Sequence, residues 1–366
     1  DASRTVPVVS ILRSSGVRDA YVKRIAEDCE KVREQHANKK GQPLVSLAAA
    51  RNNATKIDWK KFKSTKPKLL GLGVFDDYPL DLIAQHIDWT PFFQTWDLAG
   101  KYPNILQDEI VGEAARNVFA DGQAMLARIV AEKWLAARAV IGLCPANSVG
   151  DDVEIYSDDT RKKVAAKFHF LRQQAQKPSD RANYCLADFI APKDSGVKDY
   201  FGCFAVTAGI GIDPIVAKFE KNHDDYNAIM IKALADRLAE AFAEHLHLRV
   251  RKEFWGYAKK ENLANDELIA EKYQGIRPAP GYPACPDHTE KGLLFELLNA
   301  QENAGMTLTE SFAMLPTAAV SGFYFGHPDA QYFAVGKIDR DQIQDYALRK
   351  HWDATTAERW LAPLIG

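Results

Sequence analysis

The chain has 366 residues, 46% of them hydrophobic, enough for one large core or for two modules. Forty-seven Lys and Arg against 49 Asp and Glu leave a formal charge of −2, so no global field draws it to nucleic acid or to a bilayer. No apolar run reaches the ~18–20 residues that span a membrane, and the five scattered cysteines (Cys29, Cys144, Cys185, Cys203 and Cys285) fit reduced cytosolic thiols better than a disulfide framework.

From the N-terminus, "RDAYVKRIAEDCEKVREQHA" (18–37) repeats Tyr21, Ile25, Cys29 and Val32 at helical spacing. Residues 41–68 are polar, broken by Gly41, Pro43 and Pro67, and carry Lys60, Lys61, Lys63, Lys66 and Lys68; they read as a linker wrapping a surface. Those lysines form either a solvated face or a docking patch for an acidic partner. The compact part is expected from Leu69, with a helix over 108–134. "RAVIGLCPA" and "DDVEIYSD" read as strands joined by a turn, and "YCLADFIAP" and "DYFGCFAVTAG" as two more. A long helix over 224–254 should bury Ile229, Met230, Ala233, Leu234, Ala241 and Leu248. A helix over 290–304 follows, then strands in "AAVSGFYF" and "AQYFAVGKI", then helices over 339–350 and 354–361. Short runs joined by turns favour antiparallel pairing, giving an α+β class with a mostly antiparallel sheet among helices.

Several chemistries lack their residues. "GLGVF" and "AGIGI" supply only G-x-G and read as turns, not as a dinucleotide loop. No phosphate-loop or nucleophile-elbow motif occurs. Cys285 and His288 have C-x-x-H spacing without the second pair that zinc needs. His245 and His247, two apart on a helix, point different ways and read as surface or helix-end residues. No catalytic acid, base or nucleophile stands out.

One loop remains. "IRPAPGYPACPDHTEK" (276–291) sets Pro278, Pro280, Pro283 and Pro286 within nine positions, a spacing that neither a helix nor a central strand tolerates. A stiff loop carrying Arg277 suits bidentate carboxylate recognition. Gly281 permits close approach and Tyr282 offers a flat face with a hydroxyl. An amino-acid-like ligand bearing an aromatic base fits these features. So does an ordered surface loop whose arginine caps a neighbouring helix.

"RPAPGYPACPDHTEK", "LTESFAM", "AVSGFYF", "YFAVGKI", "DQIQDYALRK" and "ERWLAPLIG" closely resemble the C-terminal activation module of cobalamin-dependent methionine synthase. The resemblance extends upstream through "IDWTPFFQTWDLAGKYP", "GDDVEIY", "ANYCLADFIAP" and "KALADRLAEAFAE", over almost the whole chain. It implies a C-shaped single α+β domain around a twisted antiparallel sheet. It implies S-adenosylmethionine bound by Arg277, Pro278, Ala279, Gly281 and Tyr282, with Asp88 and Glu240 toward the ligand's ammonium. Tyr332 and Phe333 would lie beside the ligand; some relatives have a second tyrosine at the latter position. Residues 1–40 resemble the tail of the cobalamin-binding module, 41–68 the linker and 69–366 the activation domain. The chain, which starts at Asp1 with no secretory leader, is then expected to be a cytoplasmic piece of a longer methyltransferase, unable to make methionine alone. Cobalamin would be held mainly by the neighbouring module of the same polypeptide, and zinc only by a homocysteine module. Flavodoxin or a diflavin reductase would supply the electron that returns cob(II)alamin to cob(I)alamin, which then takes the sulfonium methyl. Two other readings compete: a flavoprotein-docking module with no ligand, and a free-standing S-adenosylmethionine-dependent methyltransferase. An absent Gly-rich strand–helix loop counts against the second.

Overall fold

The computed structural model describes residues 8, 9, 11–14, 16–38 and 42–366, the side chains of 34–38 excepted. Parts of the expected module tail, including 1–7, lie outside the described residues. The chain divides into Asp1–Leu44, grouped with Gly366, and Val45–Ile365. In the first unit, helix α1 (Arg18–Asn38) matches its periodic pattern, and Ile25 and Val32 on its apolar stripe are exposed.

In the second unit the elements run α2 (Leu47–Asn52), β1 (Gly71–Phe75), α3 (Leu80–Ala84), α4 (Thr90–Thr95), α5 (Gly112–Ala131), β2 (Ala136–Val149), β3 (Asp152–Tyr156), β4 (Val164–His169) and β5 (Asp199–Ile210). Then come α6 (Ile212–Lys221), α7 (Asp225–Arg249), α8 (Asn265–Ile269), α9 (Glu290–Leu298), α10 (Ala300–Ala304), β6 (Thr307–Leu308), β7 (Met314–Leu315), β8 (Ala319–Tyr324), α11 (Arg340–Arg349) and α12 (Ala354–Leu361). The main sheet is antiparallel, in the order β4-β3-β2-β5-β8, with β1 also paired to β2. Strand β2 has room for both neighbours on one edge because it is long: Ala139–Leu143 face β1 and Ala146–Val149 face β3.

Alternation along the strands supplies two cores. Ala139, Ile141, Leu143, Phe204 and Val206 point toward α5 and α7; Val140, Ala146, Phe201, Cys203 and Ala205 point toward α9 and α10. A third cluster, around Ile338, Ile343, Tyr346 and Leu361, seats α11 and α12.

Some expected elements differ. "GLGVF" is strand β1, its two glycines included, because all five residues pair with β2. "YCLADFIAP" is a 3-10 turn, Leu186–Phe189, because the Asp188 carboxylate accepts the Cys185 N–H at 3.0 Å and closes the chain on itself. "AQYFAVGKI" has strand composition but no partner strand, and its backbone is irregular, with Val335 N–H donating to Pro283 at 2.8 Å. The helix expected over 290–304 breaks at Asn299, which takes a left-handed conformation (φ 45°). On α7, Met230, Ala233, Leu234 and Ala241 are buried as expected, whereas Ile229 is exposed and Leu248 half-buried. Helix α7 runs on into a π-turn, Val250–Phe254, that carries the fully buried Arg251.

The stretch expected as linker divides at Val45. From there it lies on the second unit: Leu47 and Ala50 are buried, Ser64 donates to Asp199 (2.7 Å), and the Trp255 indole donates to the Thr65 carbonyl (2.8 Å). No helix among the described residues is long and apolar enough to cross a membrane.

Candidate functional site: a cleft over Arg277

Strand β8 has β5 on one side, and its other edge carries the proline loop. Ile276 and Phe325 exchange backbone bonds at 3.0 Å each, and Phe323 N–H donates to the Pro278 carbonyl at 2.8 Å. Gly322 makes this approach possible, since a Cβ there would stand 2.6 Å from the Pro278 oxygen. Beyond the anchor the chain turns at Gly281 (φ 91°), where a Cβ would meet the His288 ring at 2.3 Å. The prolines leave few backbone donors, and the loop closes with Gly281 N–H to Cys285 O (2.7 Å) and Cys285 N–H to Tyr282 O (2.9 Å).

This rigid turn holds Arg277 over a cleft of about 310 Å³. One edge of its guanidinium is fixed: Nη1 donates to Tyr273 Oη (2.6 Å) and lies 2.8 Å from Glu244 Oε2 on α7. Its backbone N–H donates to the Tyr332 hydroxyl at 3.0 Å. Burial opposes the arginine's charge, but Glu244 and the two tyrosines outweigh it and hold its pKa above the ordinary value. Burial raises the Glu244 carboxyl, with Arg277 and Arg251 pulling it back. Behind this pair, Arg251 is fully buried and doubly bonded to Glu261 at 2.8–3.0 Å.

The cleft brings together most of the expected residues. Glu240, Arg277, Pro278, Ala279, Tyr282, Tyr332 and Phe333 all line it, with Glu271 and Phe204. Gly281 faces an adjoining cleft of about 420 Å³, which shares Tyr282 and Val320 with the first and includes His288 and Lys291. Tyr282 stands 59% exposed between the two. The Phe333 ring lies 5.7 Å from that of Tyr184, a packing role that needs no hydroxyl.

Asp88 is not among the cleft-lining residues. Its Oδ1 accepts the Thr90 N–H at 2.9 Å at the start of α4, a helix-end role that its position also allows. His245 and His247 are not surface groups. His245 bonds Tyr78 Oη (2.8 Å) and His86 Nε2 (2.9 Å); His247 is wholly buried, stacked on Tyr324 with ring centroids 5.1 Å apart. Cys285 is buried, and no group of three His, Cys, Asp or Glu that could hold a metal occurs among the described residues.

Sequence reasoning missed Tyr273 and Glu271. Asp236, Glu240 and Glu244 stand four apart on α7 as a row of like charge, and Arg277 relieves it at Glu244. A larger cleft, about 620 Å³, lies elsewhere, lined by Arg51, Asp151, Arg172 and Asp188. Its charges satisfy one another: Arg172 pairs Asp151 and Asp188 at 2.6 Å each, and Arg51 pairs Asp151 and Asp345 at 2.8 Å each. The smaller cleft is therefore the better candidate, despite its size.

An α+β body with a fixed arginine under a rigid loop at the sheet edge has the features of a site for a small carboxylate-bearing ligand. Residues 79–351 match the family model described as vitamin B12 dependent methionine synthase, activation domain, and the chain belongs to that family. It is 58% identical to the solved MetH reactivation domain bound to AdoHcy, over 88% of this chain and 99% of that one, with a TM-score of 0.86.

Proposed function

We propose that this chain is the reactivation module of a cobalamin-dependent methionine synthase, and that its cleft binds S-adenosylmethionine. The observation that carries the site is the fixed guanidinium. Nη1 is held by Glu244 and Tyr273 and Arg277 lines the cleft; the rest of the guanidinium is left to pair a ligand carboxylate. Glu240 meets the ligand's ammonium from the cleft wall. Pro278, Ala279, Tyr332 and Phe333 enclose the thioether or sulfonium with largely apolar surface.

The corrinoid, held by its own module, would supply the metal nucleophile for the methyl group, with a flavoprotein of the flavodoxin or diflavin-reductase kind as its one-electron reductant. This chain's residues orient the methyl donor and keep water from it. No group here has to take or give a proton, which agrees with a cleft holding one arginine and two carboxylates but no hydrogen-bonded nucleophile–base pair. The exposed Tyr282 ring is the residue placed to meet whatever stands above the cleft.

Calorimetric titration of the chain with S-adenosylhomocysteine tests the reading. Saturable one-site binding that disappears in Arg277→Ala is expected. Absence of binding, or equal affinity in the two proteins, removes the assignment.

A further inference from the structure

Arg277 is not an uncompensated cation waiting for an anion. Four buried charged groups lie in one run behind the cleft: Arg277, Glu244, Arg251 and Glu261. Their side chains are 19%, 7%, 0% and 7% exposed, so solvent screens the inner three very little. Arg277 meets Glu244 Oε2 at 2.8 Å; Arg251 Nη1 stands 3.9 Å from Glu244 Oε1, and Arg251 is neutralised by Glu261 at 2.8 Å. Two guanidiniums and two carboxylates sum to zero. In front of them, Glu240 and Glu271 are exposed on the cleft walls.

We infer that Glu244 is a specificity-determining residue: by neutralising Arg277 from behind, it makes the cleft reject simple carboxylates and accept amino-acid zwitterions. A carboxylate entering alone turns the neutral quartet into a buried net negative charge, beside two further carboxylates. A zwitterion brings its own ammonium, which Glu240 or Glu271 receives, and the sum stays balanced. Without Glu244 the quartet would carry one positive charge and would take any carboxylate of the right shape. Glu244 touches no ligand in this scheme; it acts through Arg277.

The inference rests on the ligand reading above, and two probes separate their failures. S-adenosylhomocysteine and its analogue lacking the amino group are titrated into the parent chain, Glu244→Gln and Glu244→Asp. Gln keeps an acceptor for Arg277 Nη1 and removes the charge; Asp keeps the charge on a shorter arm. In the parent, the amino ligand binds and the deaminated one binds far more weakly. In Glu244→Gln, the preference falls by about tenfold or more, chiefly because the deaminated ligand binds better, since one uncompensated buried charge is worth at least that factor. Glu244→Asp keeps the parent preference, whatever affinity it loses. Equal weakening of both ligands in Glu244→Gln, or an unchanged preference, overturns the inference and leaves the ligand assignment standing. If the parent binds neither ligand, both readings fall.

Discussion

Arg277 carries two loads, and substitutions can separate them. Arg277→Ala should remove ligand binding, a loss of roughly 2–5 kcal/mol for a truncated charge pair. It should also destabilise the domain by roughly 3 kcal/mol, because Glu244 would remain buried without its main partner. The double variant Arg277→Ala/Glu244→Gln should recover most of that stability and none of the binding. Denaturant unfolding and calorimetry on the three proteins check this, and a double variant as unstable as the single one would refute it. Asp88 offers a second separation. Asparagine can accept the Thr90 N–H as aspartate does, so Asp88→Asn should leave the melting temperature unchanged. If Asp88 also reaches the ligand's ammonium, S-adenosylhomocysteine should bind more weakly and its deaminated analogue nearly as before; equal affinities for the parent and the variant would leave only the turn. The loop was legible because four prolines restrict what the backbone can do. Glu244 was legible only in part, since i,i+4 spacing puts it in one row with Asp236 and Glu240 without telling that the far end of the row sinks into the core.

Helix α7 is the element that joins site and core, and it carries two neutral histidines, His245 half-buried and His247 fully buried. Burial lowers His245 to about 4, helped by His86 and Arg249; burial, with Arg251 and Arg277 nearby, lowers His247 well below its ordinary value. In the unfolded chain both should protonate near 6.5. Between about pH 6.5 and 4 the unfolded state therefore binds more protons, and stability falls as pH falls through that window, being fully present above it. The melting temperature should drop between pH 7.5 and 5. The double variant His245→Gln/His247→Phe should show a shallower drop, and the difference between the two curves isolates the histidines from carboxylates titrating nearby. Parallel curves would mean the histidines are not what sets the slope. Elements were readable where the periodic face packs against the core, as in α5, α7, β2, β5 and α12; α1 followed its pattern with the stripe exposed. They failed where a side chain or a pairing partner overrode propensity. Asp188 curls "YCLADFIAP" into a turn, β2 straightens "GLGVF", and "AQYFAVGKI" finds only a single bridge, Ile338 to Ile365, in place of a partner strand.

At the scale of the molecule, the question is what residues 45–68 contribute. A linker could be removed without harm; a strap could not. This one buries Leu47 and Ala50, sets Arg51 against Asp151 and Asp345, and packs Trp59 edge-on and Phe62 at a tilt around the buried His327, with centroids 5.1 and 4.3 Å away. It also supplies the hydroxyl donor to buried Asp199 and the acceptor for the Trp255 indole. Of its six lysines, Lys61 and Lys66 already pair with Asp58 and Asp159, which leaves Lys56, Lys60, Lys63 and Lys68, all exposed, for any docking of an acidic partner. A chain starting at Leu69 should therefore be markedly less stable than one starting at Val45. The Trp255 indole, left without its acceptor, costs roughly 1–3 kcal/mol; Asp199 loses the Ser64 donor but keeps the Ala191 and Tyr200 N–H groups, and the lost apolar burial adds to the cost, against a typical total of about 5–15 kcal/mol. The comparison is made by urea unfolding of both chains, with the m-value reporting whether the shorter one still folds cooperatively. Equal midpoints would return the segment to the status of a linker. Restoring Trp59 and Ser64 alone cannot be done by truncation, so Trp59→Ala and Ser64→Ala in the longer chain complete the test. Each should lower the midpoint without altering affinity for S-adenosylhomocysteine, because neither residue lines the cleft over Arg277.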